Sequence, residues 1–319
     1  MSRIGDFLVF MLVKVAMLPF QIGSLNWARW LGRNLGVLFF HVAPIRKRVL
    51  ENHLHAFFGW EGEQLRAGVR EAYIGAGLSL AEFAFGARLR NENVERYVTV
   101  SGLEHYHAAH ASGRSVIIAT GHMAIWEWAG TLPHFLDRPI YAVTKRIHNT
   151  YFDEYVTQRR TRLQTAQSHL TSLSQTGAVA ALKGLAEQAF DYILFIDHRA
   201  AKGKGTWINL RGHPVAAMPG AAILALRGQL PILPMKITRT AQGIHMAFQP
   251  ALDIPPSGNE RQDVQRLTQV MNDQIAQWVA EHPRDYFWFH DHFKLHDGER
   301  AEAEAFLHNL PAHVSYPAS

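Results

Sequence analysis

The residues with the clearest capacity for chemistry lie in Val116-Ile117-Ile118-Ala119-Thr120-Gly121-His122-Met123-Ala124-Ile125-Trp126-Glu127-Trp128, where a histidine is followed five positions later by a carboxylate. A histidine near its ordinary pKa takes a proton from a hydroxyl at neutral pH when a carboxylate fixes its tautomer and stabilises the imidazolium that forms. Each helical residue turns about 100°, so positions i and i+5 of one continuous helix face apart. The spacing therefore predicts that His122 precedes a helix, on a turn opened by Gly121, and that a helix from Ala124 to Leu132 carries Glu127. The β-branched apolar run ahead of Gly121 reads as a buried strand, whose carboxyl end is where α/β enzymes bind their ligands. A second acid, Asp197, closes the apolar run Tyr192-Ile193-Leu194-Phe195-Ile196 and reaches the same sheet edge by the same logic. Either acid could orient the imidazole, and the sequence leaves both open.

Holding these groups together requires a sheet with crossing helices. Strands are predicted at Val98–Ser101, Ser115–Thr120, Ile140–Thr144, Tyr192–Ile196, Thr206–Asn209, Ile232–Thr238 and Ile244–Phe248. Helices are predicted at Glu63–Phe85, Glu104–Ser112, Tyr151–Thr165, Gly177–Ala189, Gly220–Arg227 and Asp263–Glu281. That alternation specifies an α/β fold, a mixed central sheet flanked by helices. The 319 residues contain no Pro/Gly/Ser-rich linker and no repeat, so residues 46–319 are read as one catalytic domain behind an N-terminal anchor of residues 1–45.

The anchor rests on FLVFMLVKVAMLPF, from Phe7 to Phe20, broken by Lys14 and closed near Pro19. It falls short of the roughly 20 apolar residues that cross a bilayer, which predicts a shallow or marginally spanning helix. Trp27, Trp30, Leu31, Leu35, Leu38, Phe39 and Phe40, interspersed with Arg29 and Arg33, suit an interfacial helix. Arg46-Lys47-Arg48 then offers contacts to headgroup phosphates. No small-residue cleavage site follows, and the positive-inside tendency puts the body on the cytoplasmic side.

The net charge of +5 suits an anionic membrane surface, a nucleic acid or an acidic protein. Nucleic acid is set aside, because no recognisable module is present and the aromatics sit in apolar runs. The absence of cysteine excludes a disulfide scaffold and thiol catalysis. Histidines crowd at His105, His107 and His110 and again at His290 and His292, but no His-Glu-x-x-His pattern occurs. Neither metal nor cofactor is expected.

His122 and Glu127, with the segments around them, resemble the lipid A secondary acyltransferases of the lauroyl/myristoyl type, a branch of the glycerolipid acyltransferase superfamily. The likeness runs through Arg48-Val49-Leu50-Glu51-Asn52-His53-Leu54, Gly102-Leu103-Glu104-His105, Asn149 with Arg160, Phe195-Ile196-Asp197-His198, and Pro283-Arg284-Asp285-Tyr286-Phe287-Trp288-Phe289-His290-Asp291-His292-Phe293-Lys294. The last of these is the most specific.

The resemblance implies a membrane-associated acyltransferase. It would move a fatty acyl chain from a thioester, acyl carrier protein or acyl-CoA, to a hydroxyl of a lipid A precursor or similar glycolipid. Glu127 would belong to the catalytic pair with His122, and an acid at the position of Asp197 is usual in this branch. Arg160, or Arg159 beside it, would hold a phosphate or polarise the thioester carbonyl. The basic loop Arg199-Ala200-Ala201-Lys202-Gly203-Lys204-Gly205 suits a lipid phosphate or the acidic helix of a carrier protein, and Lys145 extends the patch. Other acceptors, such as a phosphatidylinositol mannoside, a glycerolipid or a specialised membrane lipid, form the alternative within enzymes. A catalytically silent lipid-binding protein of the same fold is the alternative outside them.

Overall fold

A computed structural model describes residues 3–136, 138–144, 146–163, 170–174 and 190–309. Lys145 and the helix predicted at 177–189 lie outside the described residues. In chain order the described elements are α1 (Arg3–Ala16), α2 (Leu18–Gln21), α3 (Leu25–Val42), α4 (Lys47–Phe58), α5 (Gly62–Phe85), β1 (Val98–Ser101), α6 (Leu103–Ala109), β2 (Ile117–Thr120), β3 (Ile140–Thr144), α7 (Thr150–Arg160), β4 (Leu170–Ser174), β5 (Asp191–Phe195), β6 (Thr206–Leu210), β7 (His213–Ala217), α8 (Gly220–Gly228), β8 (Ile232–Arg239), β9 (Ile244–Phe248), α9 (Glu260–Glu281) and α10 (Arg300–His308).

Seven strands form one mixed sheet in the order β1-β9-β8-β2-β5-β3-β4, and β6 and β7 form a separate hairpin. Neighbours in the large sheet run parallel except β8 and β9. The expected α/β class with a mixed sheet between helices is what the chain adopts. Strands β4 and β7 were not foreseen. The first is a Thr/Ser-rich edge strand, and the second carries Pro214, which costs no ladder bond when it lies on an open edge. Arg211 and Gly212, at φ 55° and 88°, make the tight turn between β6 and β7.

All four residues of β2 are buried, as befits a strand covered on both faces. Ile118 faces one apolar core with Ile193 and Leu233, while Ile117 and Ala119 face the other with Tyr192 and Ile232. Helix α3 buries Leu25, Ala28, Gly32, Gly36 and Phe40 against α5. Gly32 and Gly77 make that approach possible, since a methyl group on either would overlap the carbonyl oxygen of the other. The outer face of α3 exposes Trp27, Trp30, Leu38 and Phe39, and α1 buries none of its residues. Among the described residues no helix is long and apolar enough to cross a membrane.

The pairing of β2 with β5 positions the site. Ile117 pairs with Tyr192 and Thr120 with Phe195. Fully buried Asp191 pins one end of this register: its carboxylate accepts from the Val116 N–H (2.8 Å) and the Tyr106 hydroxyl (2.6 Å), with His110 Nε2 at 3.0 Å. Asp191→Ala strands these buried donors, so it should lower unfolding stability by about 1–3 kcal/mol. Denaturant unfolding of the purified variant checks this, and an unchanged midpoint would deny Asp191 that role.

Candidate active site

Beyond the paired strands, the register carries Gly121 and His122 alongside Ile196 and Asp197, and the Ile196 N–H donates to the Thr120 carbonyl at 3.0 Å. Asp197 then binds His122 twice. Its Oδ2 accepts the His122 backbone N–H at 2.8 Å, and its Oδ1 lies 2.7 Å from His122 Nδ1. Gly121 lets the two segments meet, because a Cβ there would press on Ile275 at 3.1 Å and on Asp197 Oδ2 at 3.3 Å. A carboxylate only accepts, so Nδ1 carries the proton and the lone pair sits on Nε2. Burial pushes the Asp197 carboxyl up, but the electrostatic attraction of His122 and their hydrogen bond outweigh it and hold the group well below the usual carboxylate range. Asp197 is therefore an anion at any physiological pH.

The turn after His122 is strapped to a distant segment. Ala124 adopts a left-handed conformation (φ 50°), with its N–H on the Asp285 carbonyl (2.7 Å) and its own carbonyl accepting from the Ser79 hydroxyl (2.8 Å). The Phe287 N–H donates to the His122 carbonyl at 3.0 Å. Charge holds the strap in place: Glu82, fully buried, pairs with Arg29 (2.7 Å) and Arg239 (2.8 Å), and Arg239 also pairs with Asp285. Four elements far apart in sequence are thus fastened behind the His122 turn.

The His122 ring, 8 % exposed, is enclosed by Trp126, Phe195, His198 and His290, whose ring centres lie 5.1, 4.8, 4.4 and 5.2 Å away. Burial, then the neighbouring His122 and His198, push His290 down to about 4. The Tyr286 hydroxyl, pushed well up by burial and by the Asp197 charge, lies 2.9 Å from His292 Nε2. His292 is itself pushed down to about 3 by burial, so it faces the tyrosine as a neutral imidazole. A cleft lined by Ile275, Phe293, Tyr286 and His292 borders Asp197 and His198, the neighbours of His122.

Glu127 turns elsewhere. Both its oxygens accept from Arg160, each at 2.6 Å, in a partly buried bidentate pair. Burial lowers the Arg160 pKa and the Glu127 contact more than restores it. The element carrying Glu127 is a 3₁₀ helix, Trp126–His134, where an α-helix from Ala124 to Leu132 was expected. Ala124, in a left-handed conformation with its N–H and carbonyl bound to Asp285 and Ser79, cannot open an α-helix, and Pro133 has no N–H to continue one. Arg159 diverges from Arg160, donating to the Phe83 carbonyl (2.7 Å) and stacking over Tyr155 (4.3 Å). Arg199 donates to the Lys294 carbonyl at 2.9 Å, and Lys202 and Lys204 are exposed on the loop between β5 and β6.

The structure thus joins His122 to Asp197 and Glu127 to Arg160, and sends Arg159 and the basic loop to other surfaces. His198, His290, Tyr286 and His292 were not singled out as site residues. Their sequence signals were membership of the Phe195–His198 and Pro283–Lys294 segments and, for His290 and His292, their closeness to each other.

The family described as bacterial lipid A biosynthesis acyltransferase matches residues 2–295. The curated lipid A biosynthesis acyltransferase of Haemophilus influenzae is 22% identical over 284 residues, covering 88% of this chain and 84% of its own length.

Behind the strap, buried His53 of α4 lies with Nδ1 3.0 Å from the Trp288 carbonyl, and burial lowers its pKa from the ordinary 6.5. The unfolded chain protonates His53 at about that ordinary value while the folded protein resists, so stability declines as pH falls below about 6.5. His290 and His292 add to the same decline, so His53→Gln should make it shallower, without removing it, in thermal melts between pH 7 and pH 5. A profile as steep as the parent's would assign it to other groups.

Proposed function

Because this chain belongs to the bacterial lipid A biosynthesis acyltransferase family and is an acyltransferase, we propose that His122 is its general base. The observation that carries this reading is the buried Asp197 carboxylate on His122 Nδ1, which directs the Nε2 lone pair away from the sheet edge. A hydroxyl of a lipid A precursor attacks the thioester carbonyl carbon as Nε2 removes its proton. The tetrahedral oxyanion collapses, the C–S bond breaks as the C–O bond is kept, and the imidazolium returns the proton to the departing thiolate. Asp197 stabilises that imidazolium without taking its proton. The Glu127–Arg160 pair acts as a positioning element, clamping the end of α7 to the 3₁₀ helix that follows His122.

The donor in this reading is an acyl thioester, with acyl carrier protein favoured over acyl-CoA. Its acidic helix would meet the exposed Lys202 and Lys204 beside Arg199. The protein would lie on the inner leaflet with its body in the cytoplasm. Supporting this, Ile4, Leu8, Leu12, Val15, Trp27 and Trp30 are exposed apolar side chains on α1 and α3, with Lys14 and Arg33 among them. So much exposed apolar surface on two short helices suits an interfacial seat.

Purified His122→Ala should lose transfer by about 10²–10⁴-fold while remaining folded, with a cooperative melting transition. Mass spectrometry following the gain of one acyl chain on a lipid A precursor reads this, and activity equal to the parent's rules out the base assignment. Leu8→Asp combined with Leu12→Asp touches only exposed positions and should cut sedimentation with anionic phospholipid vesicles. Unchanged sedimentation would remove α1 from the membrane contact.

A further inference from the structure

We propose that the active site is also a binding site for a zinc-class divalent ion, held by His122, His198 and His290. Each of these residues offers one ring nitrogen, and the three nitrogens lie within 4.8 Å of one another. A tetrahedral zinc with bonds of about 2.0–2.1 Å needs its nitrogens about 3.4 Å apart, so the rings close by little more than an ångström to reach ligand geometry. The three come from separate parts of the fold: the turn after β2, the loop after β5, and the segment after α9. A search for ligands close together along the chain therefore passes over them. The parallel edge of the sheet is what assembles them.

Other features fit an ion there. Asp197 on His122 Nδ1 leaves Nε2 for the metal, which is the carboxylate–histidine arrangement that orients imidazole ligands in metal sites. Three imidazoles without a thiolate select zinc, cobalt, nickel or copper over magnesium or calcium. Three protein ligands also leave one position of a tetrahedron for water. His198 and His290 are half-buried whereas His122 is almost enclosed, so the ion is approached from the side of the two partly open rings.

The consequence for turnover rests on the reading of His122 as general base. An ion on Nε2 occupies the lone pair that must accept the hydroxyl proton, so metal capture and acyl transfer exclude each other. Zinc should act as a reversible inhibitor that competes for the base itself.

The full-length protein, stripped with a chelator, is titrated with zinc sulfate by calorimetry and with cobalt chloride by visible absorption. The expected result is one tight ion per chain and the d–d bands of four-coordinate cobalt. His198→Gln and His290→Gln should each lose that stoichiometric site, while His107→Gln, on the exposed face of α6, should keep it. No tight binding by the parent, or a tight site that survives both substitutions, overturns the proposal. In the transfer assay, zinc should inhibit the parent and chelator should restore it, with His198→Gln resistant relative to its own metal-free rate. Zinc that binds tightly through these histidines yet leaves transfer unchanged overturns the exclusion of catalysis by metal. Should the protein show no transfer at all, the binding experiments still decide the metal site, so failure of the catalytic reading is told apart from failure of this one.

Discussion

Two aspartates, Asp191 and Asp197, each accept the backbone N–H of the residue 75 positions earlier, Val116 in one case and His122 in the other. The strand pairs between them keep the same offset. Side-chain carboxylates thus extend the β2–β5 ladder past both strand ends, and the alignment of these two strands is the constraint the rest of the molecule obeys. A slip of one residue would send Ile118 to the wrong apolar core and part His122 from its carboxylate. Burial of hydrophobic side chains on both faces of β2 therefore enforces the geometry of the site. The His122–Asp197 geometry at the strand end inherits its precision from packing several residues away.

A second layer of constraint acts from behind. The Arg29–Glu82–Arg239–Asp285 network ties α3, α5 and the end of β8 to the segment that straps the His122 turn. Ion pairs this deep owe much of their Coulombic gain to the cost of leaving water, so their main yield is a fixed arrangement rather than raw stability. Here the fixed arrangement includes a non-glycine residue, Ala124, held at positive φ directly after the dyad segment. Local strain is tolerated where the surroundings over-determine the backbone. One continuous chain of packing and charge links the N-terminal helices to the sheet edge that carries His122, so the apolar face of α3 and the His122 turn share a single support.

The sequence made some of this legible and hid the rest for definable reasons. The β-branched run ending at Gly121 announces a buried strand and a turn, and the run ending at Asp197 announces a second strand end, so both His122 and Asp197 are visible as strand-end residues. Their partnership is not visible, because it depends on which strands are neighbours and in what register, information spread over 75 residues. Glu127 is nearer in sequence and looks the better partner, yet its carboxylate goes to Arg160 across a different packing contact. Strands β4 and β7 lacked the apolar alternation that marks half-buried strands, and the left-handed Ala124, tied to Asp285 and Ser79, kept the expected α-helix from starting there. The grouping of His198 and His290 around His122 has no local signature, since proximity there is made by topology alone.

Nitrogen-15 NMR of the protein with labelled histidine, its His122 resonance identified by its loss in His122→Gln, tests the dyad most directly. The account predicts that His122 carries its proton on Nδ1 in the parent and in Glu127→Gln, and that Asp197→Asn abolishes this preference. A tautomer that responds to Glu127→Gln and ignores Asp197→Asn would contradict it.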